Sequence, residues 1–150
     1  MKHTILIADD ESSSLKVILN YLTESGQDYS VIAAPNGEIA CKLARERQPD
    51  VILMDWNMPV MSGIEALDKL KSDPSTNEIP ILMVTARASS EDLQLALDKG
   101  AMDYIRKPID KIELLARVKS ALKLYDSFKT IKQQQKKIEE INVTLKKLSN

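Results

Sequence analysis

Five short apolar runs, each followed by a stretch with helical periodicity, constrain this chain more than any other feature of its sequence. They are Thr4–Ala8, Tyr29–Ala34, Val51–Met54, Ile81–Val84 and Met102–Ile105. Leu6–Ala8, Val51–Met54 and Ile81–Val84 are apolar without a break, the pattern of parallel strands covered by helices on both faces. Between the runs lie helical stripes expected to face a core: Leu15, Ile18, Leu19 and Leu22; Ile39, Ala40, Leu43 and Ala44; Ile64, Leu67 and Leu70; Leu93, Leu95, Ala96 and Leu97. Ser12–Ser14 can cap the first helix, Pro35–Gly37 open the second, Pro59–Gly63 open the third and Gly100 close the fourth. The expected fold is α/β, an open, doubly wound, five-stranded parallel sheet with right-handed crossovers. Its ligand site belongs beyond the carboxyl ends of the strands.

A length of 150 residues suits one such core plus an appendage. The net charge of -1 is unevenly spread. Six lysines against two glutamates leave residues 129–150 at +4, so residues 1–128 carry -5. An acidic body favours a divalent cation over nucleic acid as its ligand. Only Thr4–Ala8 separates His3 from Asp9, too short a run for a signal sequence or a membrane span, so a cytoplasmic, membrane-free protein is expected. The lone cysteine, Cys41, reads as a buried structural thiol. The lone histidine, His3, reads as a strand-edge residue.

The residues at the strand ends carry the chemistry. Asp9 and Asp10 follow the first strand, Asp55 the third, Thr85 the fourth and Lys107 the fifth. Three converging carboxylates repel one another unless a divalent cation and the lysine neutralise them, and an all-oxygen set suits Mg²⁺ or Mn²⁺. Asp55 is then available as a nucleophile toward phosphorus, with Thr85 and Lys107 placed to bind phosphoryl oxygens. Taken singly, each of these residues has a plainer reading as a helix cap, a strand end or a solvated lysine. Together they occupy the ends of four strands at the edge where such folds bind ligands.

Those motifs closely resemble the receiver domains of bacterial two-component response regulators over residues 3 to 124. Ile-Leu-Ile-Ala-Asp-Asp-Glu resembles the acidic pair, Met-Asp-Trp-Asn-Met-Pro the phosphoacceptor segment, Val-Thr-Ala-Arg the threonine segment and Arg-Lys-Pro the lysine segment. The resemblance implies a flavodoxin-like sheet of order 2-1-3-4-5 and a signalling switch in which Asp55 accepts a phosphoryl group from a partner histidine kinase or phosphotransfer protein. It implies direct metal ligands in Asp10, Asp55 and the backbone carbonyl of Asn57, with Asp9 acting through water. It also implies a cis peptide bond before Pro108, and a switch role for Tyr104, which turns inward as Thr85 moves toward the phosphate. Catalysis would be confined to the domain's own phosphoryl transfer and dephosphorylation. Ser62 departs from the aspartate common before the glycine. Arg87 and Asn57 sit where the family tunes phosphoryl lifetime, and Trp56 beside Asp55 is a natural fluorescent reporter.

After the fifth strand, Ile112, Leu115, Val118 and Leu122 suit a helix on the sheet, and no glycine or proline stops it. Leu124, Ile131, Ile138 and Leu145 then recur at seven-residue intervals, which marks a coiled-coil seam and a parallel homodimer. Residues 1–124 would form the receiver and 125–150 a helical extension. Two registers share the ladder. With these residues at a, the d positions are Ser127, Gln134, Ile141 and Leu148; with them at d, the a positions include Phe128, Gln135 and Asn142. The near-tie suggests that phosphorylation shifts pairing or register and so passes the signal on. Heptads still running at Asn150 suggest that an output domain follows, and no DNA-reading helix-turn-helix is expected in this segment. Two rival readings stand beside the switch. A Mg²⁺-dependent phosphohydrolase would use Asp55 for turnover, although Asn57 replaces the general acid of an Asp-x-Asp motif. A degenerate receiver would serve only as a dimer scaffold.

Overall fold

The computed structural model describes residues 2–87 and 89–149. Five strands, β1 (His3–Ala8), β2 (Tyr29–Ala34), β3 (Val51–Met54), β4 (Ile81–Thr85) and β5 (Asp103–Arg106), pair in parallel in the order β2-β1-β3-β4-β5. The helices are α1 (Ser12–Glu24), α2 (Gly37–Arg47), α3 (Gly63–Ser72), α4 (Ser90–Asp98) and α5 (Lys111–Leu148). This is the flavodoxin-like order expected from the sequence. The fourth strand runs one residue further than its apolar run, to Thr85, and the fifth lies one residue later, ending at Arg106.

Successive side chains on a strand point to opposite faces, so the uninterrupted apolar runs feed two cores at once. Leu6, Ala8, Ile52, Met54, Ile81 and Met83 pack under α2, α3 and α4. Ile5, Ile7, Val51, Leu53, Leu82 and Val84 pack under α1 and α5. Cys41 is buried in the first of these cores.

Several local expectations change. Glu11, not a serine, is the N-cap of α1, and its side chain makes no capping bond. Not every residue of the stripes is core. Leu19 and Ile39 are exposed, and in α4 only Ala96 is buried, with Leu95 42% and Leu97 43% exposed. In Asp-Leu-Gln-Leu-Ala-Leu a near-continuous apolar segment cannot tell which side of the helix meets the sheet. His3 starts an interior strand rather than an edge, and its Nε2 lies 2.8 Å from Asp126 Oδ2 on α5. Asn36, Ser62 and Ser89 cap α2, α3 and α4 through side-chain oxygens, and Gly100 follows α4 with φ +108°.

The α5 helix is 38 residues long, about 57 Å at 1.5 Å per residue. It starts near the carboxyl edge of the sheet and runs to the opposite edge. There Tyr125 packs on the core, Asp126 meets His3, and Lys129 Nζ reaches Asp50 Oδ1 at 2.8 Å. Packing on the body thus continues past Leu124 by more than a turn. From Ile131 to Ser149 every residue is exposed.

Candidate functional site

Ladder bonds that continue past the strand ends fix the candidate site. Asp9 N donates to Ala34 O at 3.0 Å, Asp55 N to Ala8 O at 2.9 Å and Lys107 N to Thr85 O at 3.0 Å. Residues just outside the strands are thereby held in sheet register along one edge. The carboxylates of Asp9, Asp10 and Asp55 offer oxygens that all lie within 4.8 Å of one another. Asp9, Asp55 and Thr85 are buried, and Asp10 is exposed.

Lys107 Nζ is the counter-charge. It donates to Asp9 Oδ2 at 3.0 Å, to Asp55 Oδ2 at 3.4 Å and to Ser14 Oγ at 3.3 Å. Burial drives the Asp55 carboxyl above its usual range; the Lys107 ammonium opposes this and the Asp9 carboxylate adds to it. Burial alone would pull Lys107 down, but its bonds to Asp9 and Asp55 outweigh that and leave it above its ordinary value. One ammonium facing three carboxylates leaves the edge short of positive charge. The donor set is all oxygen, so the residues present fit a hard divalent cation such as Mg²⁺.

A stability prediction follows from the raised carboxyl. Because the folded state holds the Asp55 proton more tightly than the unfolded chain, the penalty is absent below the ordinary carboxylate pKa of about 3.9 and complete above the folded value. Stability without added metal therefore falls as pH rises through that window. Asp55→Asn should be more stable than wild type at neutral pH, with a higher Tm, because it removes the charge that burial disfavours. The gap should close at low pH and on adding Mg²⁺. Thermal melts of both chains across pH, with and without Mg²⁺, check this.

The surrounding side chains define the approach to the site. Asp55 Oδ1 accepts from Trp56 N at 2.8 Å, and Asp9 Oδ1 from Glu11 N at 2.9 Å. Thr85 Oγ1 accepts from Arg87 N at 3.3 Å. The Arg87 guanidinium lies 4.8 Å from the centroid of the buried Trp56 ring and donates to Asn57 Oδ1 at 3.3 Å. Tyr104 is 7% exposed, packed in the core, and its hydroxyl donates to the Arg87 carbonyl. The Lys107–Pro108 peptide bond is cis.

Two participants had no signal of their own in the sequence. Ser14, read as a cap, lies in the first turn of α1 facing Lys107. Gly63, read as helix punctuation, lets α3 sit directly on the turn carrying Asp55, where its amide donates to Trp56 O at 2.7 Å. A Cβ at Gly63 would fall 1.9 Å from the Asp55 carbonyl oxygen. The backbone of the Asp55 turn is thus held against the start of α3.

A doubly wound sheet that gathers carboxylates, a lysine and a threonine at its carboxyl edge is the architecture of a phosphoacceptor switch. The chain belongs to the response regulator receiver domain family, which matches residues 5–119. It is 42% identical over 120 residues to the phosphate regulon transcriptional regulatory protein PhoB of Pseudomonas aeruginosa, covering 80% of this chain and 52% of PhoB. It is 38% identical over 120 residues to the response regulator PleD of Caulobacter vibrioides, covering 80% of this chain and 26% of PleD. Among solved structures, the chemotaxis response regulator CheY4 of Vibrio cholerae superposes with a TM-score of 0.74 at 30% identity, over 81% of this chain and all of CheY4. The chain thus spans about half the length of PhoB and a quarter of PleD. Among the described residues, no helix is long and apolar enough to cross a membrane.

Proposed function

We propose that Asp55 is the phosphoacceptor of this switch, that a histidine kinase or phosphotransfer protein is its donor, and that the only catalysis is the domain's own phosphoryl transfer and dephosphorylation. The observation that carries this reading is the Asp55 carboxylate, buried beside two other carboxylates and tied to Lys107 by its weakest contact, at 3.4 Å. Asp9, Asp10, Asp55 and the backbone carbonyl of Asn57 would hold Mg²⁺ or Mn²⁺, which when bound supplies positive charge for the phosphoryl oxygens. Lys107, leaving its present bonds, would pair with a phosphoryl oxygen. The Thr85 hydroxyl would leave the Arg87 amide to donate to another. Tyr104 shares the Arg87 segment with Thr85, so movement of that segment would be felt by both.

Incubation of the chain with Mg²⁺ and a small acyl phosphate tests the reading by intact mass. One phosphoryl group per chain is expected. Many turnovers of a phosphomonoester would instead support the hydrolase, and no adduct under any donor would support the scaffold.

The signal would leave through α5, and its occupant would be a second copy of this chain in the cytoplasm. Leu124, Ile131, Ile138 and Leu145 are each between 54% and 59% exposed. A solvated helix of this length owes its stability to burying an apolar face, and here the body offers it nothing beyond Lys129. The work would then divide between a receiver over residues 1–124 and a pairing helix over 125–150, with no direct DNA binding in this segment and no membrane partner. Truncation after Thr130, which keeps the contacts of Tyr125, Asp126 and Lys129 with the body, should convert a dimer to a monomer while leaving phosphoryl uptake within about twofold. Sedimentation equilibrium beside the phosphorylation assay checks both halves.

A further inference from the structure

Resting on the pairing just proposed, we infer that the two helices run parallel in one particular register. Leu124, Ile131, Ile138 and Leu145 occupy a; Ser127, Gln134, Ile141 and Leu148 occupy d; the two receiver bodies flank the stalk on its outer sides.

The way α5 is mounted on the body separates the registers that the sequence leaves tied. Leu114, Val118, Ala121, Leu122 and Tyr125 turn toward the sheet. At about 100° per residue, a seam centred between Leu124 and Ser127 points about 130° away from that stripe. A seam centred between Leu124 and Phe128 points only about 85° away, and its preceding a position would be Ala121, which is fully buried in its own domain. The first arrangement turns the seam away from the body, so two bodies clear each other.

Phe128 is also already engaged. Its ring stacks on Tyr125 with centroids 6.3 Å apart and planes 10° apart, and Lys132 Nζ lies 5.7 Å from its centroid. Ile141 and Leu148, the residues that the chosen register buries, are exposed.

Side-chain chemistry selects the orientation. In the parallel arrangement the g and e positions bring Thr130 to Gln135, Lys137 to Asn142 and Thr144 to Ser149, with no like charges opposed. The antiparallel alignment that pairs all four layers sets Lys137 against its own symmetry mate and Gln134 against Ile138. Parallel pairing instead places the two Gln134 amides in one layer, where each can donate to the other.

Single cysteines introduced into the full chain in a Cys41→Ala background decide the matter. Under mild oxidation Ile141→Cys should form a disulfide-linked dimer roughly tenfold faster than Asn142→Cys, because only facing core positions approach disulfide geometry. Faster linkage of Asn142→Cys would overturn the register and leave the pairing intact. Linkage of neither, in chains that still sediment as dimers, would overturn the parallel orientation. Chains that sediment as monomers would overturn the pairing and the register together.

Discussion

Asp55→Asn is expected to abolish the phosphoryl adduct formed with Mg²⁺ and a small acyl phosphate, lowering the rate by at least about a thousandfold. Asparagine preserves the shape of the side chain but offers no carboxylate oxygen to attack phosphorus. The neighbouring carboxylates are poorly placed to substitute. Asp9 has both oxygens engaged, Oδ1 by the Glu11 amide and Oδ2 by Lys107 at 3.0 Å, and Asp10 is exposed at the rim. Asp55 Oδ2 meets Lys107 only at 3.4 Å, longer than the roughly 2.8 Å of a strong charge-assisted bond. Intact mass with peptide mapping reads the outcome. An undiminished adduct in Asp55→Asn would move the acceptor to Asp9 or Asp10. Thermal melts of the same variant distinguish a lost adduct from a lost fold.

Gly63→Ala is expected to destabilise the domain by about 3 kcal/mol or more and to slow phosphoryl uptake as well. The added methyl would lie 1.9 Å from the Asp55 carbonyl oxygen, 2.8 Å from its carbon and 3.1 Å from Met54 Cγ. Two of these neighbours are backbone, pinned by the bond from Asp55 N to Ala8 O and by that from Gly63 N to Trp56 O. Neither can swing aside, so α3 must lift or the Asp55 turn must deform. Gly26→Ala is the control. Its φ is +76°, but nothing lies within 4 Å of the added Cβ, so only the backbone penalty of about 1 kcal/mol applies, with no effect on uptake. Urea unfolding and phosphorylation rates of both variants separate the two causes.

The sheet was legible because its three central strands, β1, β3 and β4, are short and apolar on both faces, a pattern with few other solutions. The residues at its carboxyl edge were legible because strand ends can be read once the strands are known. Contacts that depend on the third dimension were harder to see. Ser12–Ser14 satisfies the composition of a cap, yet Ser14 turns to Lys107, a residue 93 positions away. Leu95 and Leu97 flank Ala96, and the smallest of the three is the one that is buried, which an apolar run without clear periodicity cannot show. The inward position of Tyr104 depends on a carbonyl in another loop. Charge balance already pointed to Lys107 as a neutraliser of the converging carboxylates, but not to the uneven way in which it is shared, 3.0 Å from Asp9 and 3.4 Å from Asp55.

The unbroken path of α5 from the site edge to its far end makes rotation a property of residue count. Anything joined in frame to this helix would inherit an angular setting from the receiver. Inserting one residue would turn such an attachment by about 100°, whereas inserting seven would return it to within about 20°. Fusions built on this domain would therefore be sensitive to linker length modulo seven more than to linker composition, and a graded series of insertions would dial the output through a full turn.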